Sequence, residues 1–341
     1  LIAFSLPNMF RRLFAEGAFN TAFVPILSKK ISCKETAELF ASEALSVLLC
    51  SLLILTALAE IFMPAFVAAM ASGFKDDGRF ELAVDFGRVM FPYILFISLS
   101  AFFGGILNTL NRYSVTAAVP LILNITLIIG LFTANHFEKD YGLVLSCSVP
   151  LAGILQLILT ISFLQRQNFK LHFNFPKFSG DIKRLIVIAI PAFLAGGVIQ
   201  INLLVGRQVA SYFDGAIAWL SYADRLYQLP LGVVGIAIGI VLLPNLSKAH
   251  EGKDFEKNSV INRSAELALI FTLPATAALL IIPYPLISVL FERGAFNALD
   301  SENTSNALFV YALGLPAFVF QKIFSTIYFA NENTRSPFNF A

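Results

Sequence analysis

The amino-acid sequence predicts an all-α, multi-spanning membrane protein with two pseudo-symmetric helical lobes around a central cavity. This prediction rests on an apolar composition, on apolar runs of helical length and on an internal repeat. Hydrophobic residues make up 57% of the 341 residues and charged residues 13%, whereas a soluble domain carries about a quarter charged residues. The mean hydropathy of +0.76 therefore excludes the soluble classes, and nothing in the sequence indicates a nucleic-acid partner.

Nine apolar runs are long enough to be transmembrane helices, because about 20 apolar residues cross about 30 Å of hydrocarbon. The runs do not alternate between apolar and polar residues, which favours helices over a barrel. Several contain proline or glycine, which membrane helices tolerate. In chain order the runs are 1–28, 43–72, 88–110, 115–134, 142–164, 185–213, 216–246, 264–291 and 306–330.

The loops between these runs alternate in charge, and this alternation orients the chain. One set of alternate loops holds fourteen basic residues, Lys29, Lys30 and Arg184 among them. The other set holds five, Lys75 and Lys139 among them, together with most of the acidic loop residues. Because cytoplasmic loops are enriched in Lys and Arg, the first set is predicted to be cytoplasmic. The first run then crosses the membrane from the outside to the inside.

The chain resembles itself at an offset of roughly 220 residues. FVPILSKK, residues 23–30, recurs as LLPNLSKA, residues 242–249. Three proline pairs recur at nearly the same offset in the two copies: Pro25 with Pro244, Pro64 with Pro285, and Pro92 with Pro316. Partner runs cross the membrane in the same direction, so the repeat is parallel, and transporters built this way place the substrate site between the halves. We therefore predict an N-terminal lobe at 1–170 and a C-terminal lobe at 171–341.

The repeat also predicts that segments are missing. The run at 185–213 has no partner in the first half, and the runs at 115–134 and 142–164 have none in the second. A complete unit would have six spans per half. We therefore expect a fragment that lacks the first span of the first lobe and the last spans of the second.

Charged residues inside the first run are the main candidates for a binding site. Arg11 and Arg12 lie in LPNMFRRLFAEGAF, and Glu16 follows Arg12 at helical spacing i, i+4, where the two can pair. A charge at bilayer depth costs at least about 2.5–3.5 kcal/mol, so such side chains usually face a polar cavity. The corresponding part of the second copy, GVVGIAIGIVLLP, carries no charge and is about one helical turn shorter. This asymmetry favours a functional addition over an architectural one.

The second half contributes Asp224 and Arg225, four residues before its own LP dipeptide. Arginine binds phosphate oxygens in a bidentate manner, so Arg11, Arg12 and Arg225 around one cavity would suit a pyrophosphate or a similar polyanion. An alternative is an Arg–Asp/Glu network that locks helices together. Arg207 and Lys322 also lie within runs, where they can instead reach the interface. The deep charged residues together carry a net charge of +3, which points to an anionic partner.

The sequence contains no pattern that favours a nucleotide-binding, catalytic or metal site. There is no GxxxxGK[ST] loop and no nucleophile–base or paired-carboxylate pattern. His136, His172 and His250 are scattered among loops, and the three cysteines form no CxxC pair. The prediction is a protein that is not an enzyme and has no metal site and no cofactor.

Four segments are similar to one known family. LPNMFRRLFAEGAFNTAFVPILS resembles the defining segment of the bacterial lipid II flippases, the MurJ/MviN family. The segments beginning FPYILFISLS, YADRLYQLPL and LFERGAFNAL resemble it as well, in the family's order. The resemblance implies a fourteen-span fold of the multidrug/oligosaccharidyl-lipid/polysaccharide exporter superfamily, of which this chain would carry spans two to ten.

The resemblance also implies an activity and a location. The family moves lipid II, the lipid-linked peptidoglycan precursor, from the cytoplasmic to the periplasmic leaflet of the inner membrane during cell-wall biosynthesis. Arg11, Arg12 and Arg225 match family positions that line the cavity, and Glu16 matches a further cavity residue. Coupling to a monovalent ion remains open, because Gly206 stands before Arg207 where some members place an aspartate of a sodium site.

Three hypotheses follow from the sequence. The first is a lipid II flippase that works by alternating access and has membrane lipids as its surroundings. The second is a related exporter of another lipid-linked oligosaccharide or of cationic drugs, although the +3 excess argues against cations. The third is a membrane remnant that does not transport, which the length of the native reading frame would reveal.

Overall fold

A computed structural model describes residues 1–14, 18–75, 77–172, 175–249 and 254–330. Within these ranges all regular structure is helical, as predicted. The helices form two compact units, residues 1–212 and residues 213–341. Each unit is described by itself below.

Among its described residues, the first unit contains eight α-helices and one short 3-10 helix at Ser72–Phe74. The α-helices are α1 (Ile2–Phe14), α2 (Ala18–Lys30), α3 (Lys34–Met70), α4 (Arg79–Met90), α5 (Tyr93–Thr109), α6 (Tyr113–His136), α7 (Tyr141–Gln165) and α8 (Gly180–Ala210). The second unit contains α9 (Ala216–Ala249), α10 (Asp254–Ile281), α11 (Pro283–Phe291) and α12 (Ala298–Ala330).

The boundary between the compact units differs from the predicted lobe boundary. The predicted lobes divide at residue 170, whereas the contacts divide the chain after Tyr212, so α8 packs with α2 and α3 of the first half. The lobe boundary follows from the repeat and stays a prediction.

Five helical segments of the described residues are long and apolar enough to cross a membrane. They are Lys34–Met70, Arg79–Thr109, Tyr113–His136, Tyr141–Gln165 and Ala298–Gln321. A sixth candidate is the pair Ala265–Ile281 and Pro283–Phe291, which bends by 80°. Each coincides with a predicted run, so the chain is a multi-pass membrane protein. The other three runs correspond to α1 with α2, to α8 and to α9, which include side chains or residues outside the description.

Prolines lie close to the breaks within these spans. In α3 the backbone leaves helical geometry at Phe62 (φ −96°, ψ 16°), two residues before Pro64. A proline ring clashes with the carbonyl four residues earlier and removes a backbone donor, which kinks a helix. The predicted run at 88–110 is likewise two helices, α4 and α5, with Phe91 and Pro92 between them.

The helix boundaries repeat at the offset found in the sequence. The non-helical residue Phe62 of α3 corresponds to Ile282, which separates α10 from α11. Helix α4 begins at Arg79, and α12 begins at Ala298, again about 220 residues later. The internal repeat therefore includes the positions of helix starts and breaks, and not only the short motif.

Aromatic packing forms much of the core of the first unit. The Phe23 ring lies 4.8 Å from that of Phe102 and 5.5 Å from that of Phe40, centroid to centroid, and all three side chains are buried. They join α2, α3 and α5. In the second unit the buried cluster runs along α9, α10, α11 and α12 and includes Tyr227, Leu279, Ile287 and Leu308.

Many large apolar side chains point outwards. Ile61, Phe132 and Val289 are 68%, 72% and 79% exposed. In water such a surface would cause association, but in a bilayer it faces lipid chains of the same polarity.

Candidate functional site

Arg11 lies on α1 with an apolar core on one side of the helix. Leu6 is fully buried, and the Phe10 ring contacts Phe91 and Phe66 at 5.6 and 6.2 Å. Arg11 is about 100° further round the helix and is half-buried. Its Nε donates to Asn8 Oδ1 at 2.9 Å. Because Asn8 is one turn earlier on the same helix, this bond restricts the direction in which the guanidinium leaves α1.

The structure describes only part of the other two charged residues of this motif, Arg12 and Glu16. Arg12 belongs to α1, but its side chain lies outside the description, as does Glu16 entirely. The predicted Arg12–Glu16 pair therefore stays a prediction. In the run at 1–28 the structure describes α1 and α2, and residues 15–17 between them lie outside the description; the repeat partner α9 spans Ala216–Ala249.

Asp224 and Arg225 lie on α9 in the second unit. Asp224 is half-buried and accepts a hydrogen bond from Gln228 Nε2, one turn later. Arg225 is exposed. Arg11 and Arg225 thus belong to different compact units, and their meeting at one cavity stays a prediction. Arg207, the basic residue within the predicted run at 185–213, is half-buried on α8 of the first unit.

Two polar partners near the candidate residues were not predicted. Asn8 and Gln228 each contact a charged side chain on their own helix, at spacings i, i+3 and i, i+4. Both spacings are visible in the sequence. Helical periodicity applied to polar residues near each charge would have found both.

Loops predicted to be cytoplasmic meet at one end of the first unit. Arg112 Nε donates to Gln167 Oε1 at 3.3 Å, and the Lys170 amide donates to Glu38 Oε1 at 2.8 Å. At the same end Lys30 Nζ lies 2.9 Å from Asp181 Oδ2. These contacts join the turns before α3, before α6 and before α8. The predicted alternation of loops agrees with this grouping.

The other end of the first unit carries a separate set of contacts, between the 3-10 helix and the end of α8. The Ser72 amide donates to Gln208 Oε1 at 3.1 Å, and the Gly73 amide donates to Ser211 Oγ at 3.0 Å. The hydroxyls of Ser72 and Tyr212 are 2.6 Å apart. Since a Cβ on Gly73 would lie 2.5 Å from the Ser211 carbonyl oxygen, only glycine permits this approach without a backbone shift.

The described residues show no metal centre. Within those ranges no group of three His, Cys, Asp or Glu side chains comes together as a metal site requires.

The comparison with family models decides the family. The model described as "Lipid II flippase MurJ" matches residues 1–341, the whole chain. The chain belongs to the MurJ family. The resemblance found in the four sequence motifs is thereby confirmed.

Individual relatives agree with the family match. A Rhizobium tropici protein named "Probable lipid II flippase MurJ" is 45% identical over 346 residues, which cover 99% of this chain and 65% of that protein. This chain therefore spans slightly less than two thirds of the length of that MurJ relative.

Two solved structures share the fold. The structure described as "Lipid II flippase MurJ, inward closed conformation" matches with a TM-score of 0.85 at 31% identity, over 99% of this chain and 70% of that one. An inward-facing multidrug resistance MATE family transporter of the MOP superfamily matches with a TM-score of 0.75 at 16% identity, over 99% of this chain and 77% of that one. The second likeness concerns the fold alone. The predicted all-helical, multi-spanning transporter fold is confirmed.

Proposed function

We propose that the complete protein containing this chain is a lipid II flippase of the bacterial inner membrane. It moves the lipid-linked peptidoglycan precursor from the cytoplasmic to the periplasmic leaflet by alternating access. The observation that carries the proposal is the MurJ family match over residues 1–341. The half-buried Arg11, on a helix of the very segment that defines the resemblance, supports it.

The chemistry of the proposal is electrostatic binding without bond cleavage. Arg11 and Arg12 of the first half and Arg225 of the second would contact the pyrophosphate, since a guanidinium offers paired donors that match phosphate oxygens. Glu16 and Asp224 would orient the arginines and limit the excess of positive charge. No bond is made or broken in this cycle, so the protein acts as a transporter rather than an enzyme and needs no cofactor. The membrane potential or a gradient of a monovalent ion would drive it.

Lipid II is a better substrate for this chain than a cationic drug. The candidate residues comprise three arginines and two carboxylates, an excess of positive charge that would repel cations in a medium of low dielectric constant. The relatives that match along the chain are named lipid II flippases, while the likeness to a drug transporter is one of fold.

The first prediction concerns the role of Arg11 in lipid II translocation. Replacing Arg11 by Ala in the complete protein should lower lipid II translocation about tenfold to a hundredfold, because hydrogen bonds to a charged group contribute about 1.5–3 kcal/mol. Arg11→Lys keeps the charge but loses the planar fork, so its rate should fall between the two. Translocation is measured in vesicles as the lipid II that becomes accessible on the far side.

Arg112→Ala provides the matched control, because Arg112 lies in an exposed turn and contacts Gln167. Its rate should stay within about twofold of the native rate. Native translocation by a stably inserted Arg11→Ala protein would contradict the proposed role of Arg11.

A further inference from the structure

A basic cavity lies between α2 and α8 in the first unit. Its volume is about 340 Å³. Lys29, Lys30, Asp181 and Arg184 line it, together with apolar side chains such as Ile26. The cavity lies at the end of α2 and the start of α8, the end of the unit where the loops predicted to be cytoplasmic meet.

The charges around the cavity favour an anion. Lys30 Nζ is 2.9 Å from Asp181 Oδ2, so these two charges offset each other. Lys29 and Arg184 remain, both exposed. Over the ranges that the structure describes, no carboxylate forms an ion pair with either of them. Two cations that share one cavity attract a phosphate, and arginine can bind it through two donors.

The walls of the cavity favour a ligand with a hydrocarbon part. Ile26 on α2 is 8% exposed, and Ile188 on α8 is 42% exposed. Val187, beside Ile188, is 69% exposed and faces outwards. An anionic head between Lys29 and Arg184 would therefore be followed by apolar contacts towards the membrane.

The volume of the cavity indicates the size of the lipid head group that it can hold. At about 340 Å³ it lies at the low end of small-molecule sites. A phosphodiester with its glycerol fits such a volume. Basic pockets between helices on the cytoplasmic side are a recognised setting for anionic lipid head groups.

We propose that this cavity binds the phosphate of an anionic phospholipid from the cytoplasmic leaflet. Lys29 and Arg184 contact the phosphate oxygens, and Ile26 and Ile188 contact the first methylene groups. Since the ligand contacts both α2 and α8, it holds the ends of these helices together. Arg11 does not line this cavity, and the occupancy of the cavity can be measured without transport.

The test compares variants of the complete protein in nanodiscs that contain either phosphatidylglycerol or only phosphatidylcholine. Retained lipid is counted by native mass spectrometry. Lys29→Gln and Arg184→Gln should each weaken phosphatidylglycerol binding about fivefold, the effect of one basic residue near an anionic surface. Lys183→Gln is the matched control: it removes the same charge from an exposed neighbour of Arg184 that does not line the cavity. It should change the affinity less than twofold.

Asp181→Asn tests the proposal in the opposite direction. It removes the acid of the cavity and releases Lys30 from its ion pair, so phosphatidylglycerol binding should become several-fold tighter. Arg184→Lys should keep most of the affinity. Because one variant strengthens binding, the outcome cannot be explained by general misfolding.

Three results would overturn the proposal. Equal losses in the Lys29, Arg184 and Lys183 variants would mean diffuse attraction to the surface. Competition by millimolar inorganic phosphate as strong as that by phosphatidylglycerol would mean a site for the free ion. Unchanged phosphatidylglycerol binding with lost lipid II binding would assign the cavity to the transported substrate, and would leave the proposed transport function standing.

Discussion

Single glycines allow pairs of helices in the first unit to approach each other closely. A Cβ on Gly153 of α7 would lie 2.8 Å from the Tyr93 ring of α5, and one on Gly130 of α6 would lie 2.5 Å from Ser148 Oγ of α7. Small residues let membrane helices approach closely, and van der Waals packing then stabilises the pair. Gly104 and Gly105 lie within a continuous α5, and a Cβ on them would lie close to α6 and α2, respectively.

The strongest prediction at this scale concerns Gly73. Gly73→Ala should lower the free energy of unfolding by about 1–3 kcal/mol, because the added methyl group forces a backbone shift and weakens the bond to Ser211 Oγ. Gly78→Ala is the control, since a Cβ there meets nothing within 4 Å. Thermal unfolding of the two purified variants checks this, and equal midpoints would contradict the assigned contact.

At the scale of elements, contacts hold α8 at both ends. An ion pair joins its start to α2, and hydrogen bonds join its end to the 3-10 helix. Ile182 and Leu185, in its first two turns, are buried. The ion pair is partly exposed, with 27% and 45% of the two side chains accessible, so it contributes about 0–1 kcal/mol. Apolar packing therefore stabilises the docking of α8 more than the charges do.

This comparison of magnitudes can be tested within α8. Leu185→Ala should destabilise the protein by about 2–5 kcal/mol, the usual range for a buried leucine. Val187→Ala, two residues later on the outward face, should change the stability by about 0.5 kcal/mol or less. Thermal unfolding in the same detergent measures both, and a larger effect at Val187 would mean that the packing face of α8 is wrongly assigned.

At the scale of the whole molecule, the orientation in the membrane follows from the loop charges. Contacts in the first unit group the basic loops at one end, which agrees with the predicted alternation. Cys33, an exposed free cysteine in the turn before α3, belongs to the predicted cytoplasmic set.

Labelling of cysteines in spheroplasts tests this orientation. In a background with Cys50 and Cys147 replaced by Ala, a membrane-impermeant maleimide should leave Cys33 unlabelled until the cells are lysed. With Cys33 also replaced, a Lys139→Cys variant, exposed in the turn between α6 and α7, should be labelled before lysis. Labelling of Cys33 in intact spheroplasts would reverse the assigned topology.

The sequence predicted the residues of the candidate site and their grouping around one cavity, and this grouping stays a prediction. The sequence alone identifies Arg11, Arg12 and Arg225, because charged residues are rare in apolar runs and this can be seen from the composition of each run. The bond from Arg11 to Asn8 and the approach of Arg184 to Lys29 depend on side-chain direction and helix packing. Residues 29 and 184 are far apart in the chain, so no local pattern brings them together.

The sequence by itself determined the membrane class, the helical runs, the internal repeat and the family, because hydropathy and periodicity are local and a bilayer leaves few alternatives. The tertiary structure decided where the prolines break the spans, that α8 packs with the first half, and that a basic cavity lies between α2 and α8. These features depend on contacts between residues distant in sequence, where small differences in packing and steric fit select one arrangement.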